Sequence, residues 1–165
     1  MVCGKNTRRS KVKKRKVWRV LLSVLLGLTV LFIWSNSLRG REASSEQSGR
    51  VLQFLQGILD SLGISLSLTV HFVRKAAHFT EYFLLGVQAA LYGCVVTGVN
   101  RRRVWDMCCA IGSVAFLDET IQIFSQRGPA IADVWLDMAG GAVGLILCFA
   151  LYFLIVSCRR KKRRG

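Results

Sequence analysis

Apolar residues in this chain come in long, nearly unbroken runs rather than in strand-like alternation. Four runs, at 17–34, 76–99, 104–124 and 131–156, approach or exceed the ~20 residues that a helix needs to cross ~30 Å of hydrocarbon. Each predicts a membrane-spanning helix, because a helix pairs its backbone polar groups internally where no water can. Residues 51–62 carry a different pattern. Val51, Phe54, Leu55, Ile58, Leu59 and Leu62 recur every three or four positions, with Gln53, Gln56 and Asp60 between them. That stretch is too short and too polar to span. It reads as an amphipathic helix, lying on a leaflet or packing its apolar face on the spans, with Gly63 at its end. Residues 64–70 alternate apolar and polar, but the chain offers no partner strand, so an extended lead-in to the second span is expected. Residues 35–49 are polar and read as a loop.

Charge gives this pattern an orientation. The 165 residues are 52% hydrophobic and carry a net charge of +15. Nine basic residues precede Val20, three (Arg101, Arg102 and Arg103) separate the second and third runs, and six close the chain from Arg159. Four spans place all three groups on one face, which the positive-inside rule makes cytoplasmic. The expectation is therefore an all-α, polytopic cell-membrane protein with four transmembrane helices, both termini cytoplasmic, and a short amphipathic interfacial helix on the outer side. Residues 1–16 form a basic, disordered arm, 17–157 the transmembrane domain and 158–165 a basic tail. The arginines at 101–103 make a tight inner turn. The basic ends fix topology and touch anionic headgroups. They lack the interleaved aromatics of a nucleic-acid surface, so no nucleic-acid partner is expected and membrane lipids are.

The first run has a basic start but ends in Phe32, Ile33 and Trp34 without a small-residue cleavage site, and so reads as an uncleaved anchor. The six cysteines all map to the inner half or the cytoplasm, which predicts reduced thiols and no disulfide. Cys108 and Cys109 lack the spacing of a metal or redox motif.

Candidate chemistry sits where three spans reach the outer side. The second span opens with Arg74, Lys75, His78, Glu81 and Tyr82, of which Lys75, His78 and Tyr82 share a face. The third closes with Asp118, Glu119 and Gln122, on the stripe that holds Gly112. The fourth opens with Asp133 and Asp137, a turn apart, and continues inward through Gly140 and Gly144. The connecting loop carries Arg127. Small residues let membrane helices approach closely, so Gly112, Gly140 and Gly144 place these stripes inside the bundle. A charge within a span costs roughly 2.5–3.5 kcal/mol at mid-bilayer. Five acids face three permanent cations and one histidine here, leaving room for a bound cation, a proton or a cationic ligand group. His71, at the outer interface, reads as a headgroup contact.

These residues carry a resemblance. Arg-Lys-x-x-His-Phe-x-Glu-Tyr at 74–82, Asp-Glu-x-x-Gln-x-Phe at 118–124, Arg127, and Asp-Val-x-x-Asp-x-x-Gly at 133–140 resemble the VanZ family of small bacterial integral membrane proteins. Residues 35–37 are similar to its first polar segment. Many members carry Pro-Gly where this chain has Ser125 and Gln126, and Asn where it has Asp137, which makes this site more acidic. The family is named for an accessory protein that lowers susceptibility to teicoplanin, so the resemblance implies an envelope or glycopeptide-susceptibility role.

Three readings follow for the polar set. As a binding site it would take an envelope lipid, a cell-wall precursor or a glycopeptide. Arg127 and Lys75 would hold phosphate or carboxylate, and Glu81, Asp118, Glu119 and Asp133 ammonium or hydroxyl groups. As an enzyme site it would pair His78 with Glu81, Glu119 or Asp133 in acid–base or metal chemistry on a lipid-linked substrate; no motif fixes a metal or cofactor. As structure it would be interhelical glue, although membrane hydrogen bonds average only ~0.6 kcal/mol. A transporter has little support, because the inner halves of the spans lack polar residues to continue a path.

Overall fold

The structure, a computed structural model, describes residues 3–124 and 130–162, with side-chain surroundings from Lys14 onward except at Arg41. Arg127 and the rest of the loop at 125–129 lie outside the described residues. The described chain is helical, with no strand: α1 Cys3–Ser37, α2 Arg41–Ser61, α3 Val70–Tyr92, α4 Arg101–Phe124 and α5 Ile131–Lys162. A π-helical turn, Gly93–Thr97, extends α3. Four stretches are long and apolar enough to cross a membrane: Lys14–Ser37, Val70–Thr97, Arg101–Phe124 and Ile131–Lys162. Their outward faces are apolar and bare, with Val20, Leu28, Phe116, Trp135 and Ile146 all exposed. Water would make that surface very costly, while lipid tails cover it without penalty. The protein is a multi-pass membrane protein.

Several boundaries differ from expectation. The basic arm is helical from Cys3 rather than disordered, because Lys and Arg are good helix formers and no proline interrupts it. Residues 35–49 are not a loop. α1 runs to Ser37, and α2 begins at Arg41, with Glu42 in its first turn and the Arg50–Glu46 pair at 2.6 Å across one turn. α2 closes with a Schellman arrangement. Gly63 has φ 71°, the Ile64 N–H donates to the Leu59 carbonyl (3.0 Å), and the Gly63 N–H donates to Asp60 (3.1 Å). Residues 64–69 are irregular and lead to Thr69, whose hydroxyl accepts the Phe72 N–H at 3.2 Å and caps α3. The arginines at 101–103 do not turn the chain. The turn lies at 98–100, with Gly98 at φ 81°, and the arginines begin α4 behind Asn100, whose side chain accepts the Arg103 N–H at 2.9 Å. Cations at a helix start oppose its dipole. Arg103 offsets this by reaching back to the carbonyls of Thr97 and Gly98 that end the preceding helix.

α3 and α5 form the most extensive interface, and glycine explains it. A Cβ on Gly86 would lie 2.1 Å from the Gly141 carbonyl oxygen, one on Gly140 2.5 Å from that of Phe79, and one on Gly144 2.2 Å from that of Phe83. The two backbones therefore touch. Gly112 plays a looser part, with a Cβ there 3.6 Å from the Met138 methyl of α5. Around this seam pack Ile33, Tyr82, Leu85, Ala90, Ile111, Ala115 and Leu145. The Thr29 hydroxyl donates to Gln88 Oε1 at 3.0 Å and ties α1 to α3.

Candidate functional site

One end of the bundle reverses the usual order of solubility. Its walls are apolar, yet Ser37, Asp118, Glu119, Gln122 and Asp137 are buried inside it. Three helices supply them, the end of α1, the last turns of α4 and the first turns of α5, and the first turns of α3 add the buried Tyr82. Chain direction alone brings these termini together, because consecutive spans run antiparallel.

Hydrogen bonds knit the four sources. Asn36 of α1 donates to Glu81 Oε1 at 2.8 Å. Gln122 Nε2 lies 3.4 Å from the Ser37 hydroxyl and 3.3 Å from Asp118 Oδ2, and Arg74 approaches Gln122 Oε1 at 3.5 Å. Glu119 accepts the Ala130 N–H, so its carboxylate caps the start of α5. Lys75 pairs with Asp133 at 3.0 Å; both are partly exposed. His78 Nδ1 stands 3.8 Å from Asp118 Oδ2. Ligand atoms of His78, Asp118 and Asp137 all lie within 4.8 Å of one another. Tyr82 is fully buried within electrostatic reach of Asp118, Asp137, Glu81 and Glu119. Its hydroxyl and Asp137 Oδ1 have no hydrogen-bond partner among the described residues.

The structure thus draws His78, Tyr82, Asp118, Glu119, Gln122 and Asp137 into the interior. It sets Lys75 and Asp133 at the rim and Glu81 against α1. Gly140 and Gly144 lie in the α3–α5 seam below, and Gly112 beside Met138. His71 is exposed in the first turn of α3. The five cysteines from Cys94 onward are unpaired and none joins this site.

A groove of about 410 Å³ opens beside this interior, between α2 and α3. Asn36, Arg39, Gln47, Ser48, Arg74, His78 and Glu81 supply its polar lining, and Val51, Leu55, Phe72 and Val73 its apolar wall. Sequence reasoning had no role for Arg39, Gln47 or Ser48. The available signal was the helical spacing of Ser44, Gln47, Ser48, Val51 and Leu55, which continues the 51–62 pattern backward. Asn36 and Ser37 had only the resemblance to recommend them.

A family model described as VanZ/LLP1 matches residues 20–154. No curated protein and no solved structure matches the chain.

Proposed function

The chain belongs to the VanZ-like family, and on that premise we propose that its polar end faces outward and binds the anionic headgroup of an envelope lipid or lipid-linked cell-wall precursor. The groove between α2 and α3 supports this reading more than any other observation. Two arginines, Arg39 and Arg74, share a cavity with an apolar wall of Val51, Leu55 and Phe72. That combination fits an amphiphile, with phosphate at the guanidinium groups and an acyl or prenyl chain along the wall. Phe54, Leu55 and Ile58, exposed on α2, are in keeping with a helix resting on the outer leaflet. The basic groups at the opposite end hold the termini in the cytoplasm. Capture of an envelope precursor, or of a glycopeptide itself, is the route by which such a protein would alter glycopeptide susceptibility.

Native mass spectrometry of the purified protein tests the binding. A phosphatidylglycerol or polyprenyl-phosphate adduct should persist where phosphatidylethanolamine does not, and Arg74→Ala should weaken retention about tenfold or more, the worth of one charge-assisted hydrogen bond. Equal retention of zwitterionic lipid, or an unaffected Arg74→Ala, would dismiss it. Impermeant thiol reagents should label a cysteine introduced at Ser48 in intact cells but not one at Ser10; the reverse would invert the topology.

A second reading, an enzyme acting on a lipid-linked substrate, draws on His78 beside two buried carboxylates. Turnover of a polyprenyl phosphate or diphosphate by the pure protein, lost in His78→Gln, is its test.

A further inference from the structure

We propose that His78, Asp118 and Asp137 form a site for a divalent cation of the zinc or manganese class. The inference does not need the headgroup reading: Asp118 and Asp137 lie in the bundle interior, and of the three ligands His78 alone also borders the groove.

Three helices each contribute one ligand: His78 from α3, Asp118 from α4 and Asp137 from α5. Their ligand atoms lie within 4.8 Å of one another. Zinc bonds to nitrogen and oxygen run about 2.0–2.2 Å, so ligands of a tetrahedral shell stand roughly 3.3–3.6 Å apart. His78 Nδ1 and Asp118 Oδ2, at 3.8 Å, are nearly there. The remaining contraction is within reach of side-chain rotation.

Burial makes the grouping more than an acidic cluster. Asp118 is 0% exposed and Asp137 1%. Asp137 Oδ1 is sealed from solvent with no hydrogen-bond partner among the described residues. An uncompensated buried carboxylate is expensive, and a metal ligand is one of the few roles that repays it. Two carboxylates and a neutral imidazole carry two negative charges, which a divalent ion neutralises. Lys75 pairs with Asp133, and Arg74 approaches Gln122. Gln122 also holds Asp118 Oδ2, which orients that carboxylate as metal ligands require.

The donor set selects the ion. One imidazole nitrogen with two carboxylate oxygens suits zinc, manganese or ferrous iron, whereas magnesium and calcium prefer all-oxygen shells. Three protein ligands leave a position for water or a ligand oxygen.

The test uses the full-length protein, stripped with chelator and titrated with zinc or manganese alone. One equivalent per chain is expected. Affinity should fall at least a hundredfold in His78→Gln and in Asp137→Asn, while His71→Gln should match wild type. Thermal unfolding of the stripped variants shows whether each remains folded, and X-ray absorption of the zinc form should show a shell of nitrogen and oxygen only. Absence of a stoichiometric site in wild type overturns the proposal. So does undiminished binding in folded His78→Gln, or sulfur ligation, which would place the metal on the cysteines. Lipid retention reads the groove separately, so the two proposals can fail independently.

Discussion

The two ends of this bundle are packed from different materials. Around the π-helical turn Gly93–Thr97 and the start of α4, the interior is Ala90, Val96, Met107, Cys148 and Phe149, and the charges sit outside or, like Arg103, on carbonyls. At the opposite end the interior is Ser37, Tyr82, Asp118, Glu119, Gln122 and Asp137. The same helices and the same glycine seam run through both. The apolar end therefore shows that these helices can be closed without buried acid. What the polar end adds is a constellation that packing does not require, and such departures from economical burial mark functional sites.

The seam common to both ends should be the most sensitive point. Gly144→Leu would drive a side chain into the Phe83 carbonyl, 2.2 Å from where its Cβ must go. A loss at or above the upper end of the ~1–3 kcal/mol typical of overpacking is expected, read as thermal unfolding in detergent. Wild-type stability there would mean that the helices do not touch. Next comes Glu119, the acid with a clear structural duty. Glu119→Leu removes the acceptor of the Ala130 N–H and should cost about 1–2 kcal/mol, whereas Glu119→Gln keeps an acceptor and should cost well under half of that. Equal losses would assign its role to charge alone. At the apolar end, Arg103→Leu should cost about 1 kcal/mol through the carbonyls of Thr97 and Gly98, without altering lipid or metal binding. A binding defect there would couple the two ends. The smallest effect belongs to Lys75→Ala. Its partly exposed pair with Asp133 should be worth under ~1 kcal/mol in the same unfolding assay.

The spans were legible because length and hydropathy are local properties, and antiparallel succession then forces Lys75, His78, Asp118, Gln122, Asp133 and Asp137 to one end. Other features depend on partners far along the chain. Gly86 looks like an ordinary helical glycine until Gly141 is placed 2.1 Å from its missing Cβ. Asn36 gains a purpose only when Glu81 is beside it. The first ten residues of α2 contain almost no apolar residue to set a period, and polar composition alone pointed to a loop. Their helix rests on good helix formers such as Arg, Glu, Ala and Gln and on the Glu46–Arg50 pair one turn apart. Arg103 was counted as topology signal, and its bonding to the preceding helix has no trace in the residue order.

The central claim is that Asp118 and Asp137 are held for a ligand and not for the fold. Asp137 tests it most directly, because it is buried, has no hydrogen-bond partner among the described residues and lies one turn beyond the paired Asp133. The measurement is the unfolding free energy of chelator-stripped Asp137→Asn against stripped wild type. Replacing a buried carboxyl that has no hydrogen-bond partner, while keeping its shape, should leave stability unchanged or raise it by about 1–2 kcal/mol. A loss of that size instead would make Asp137 part of the glue that holds α3, α4 and α5 together, and would contradict the account.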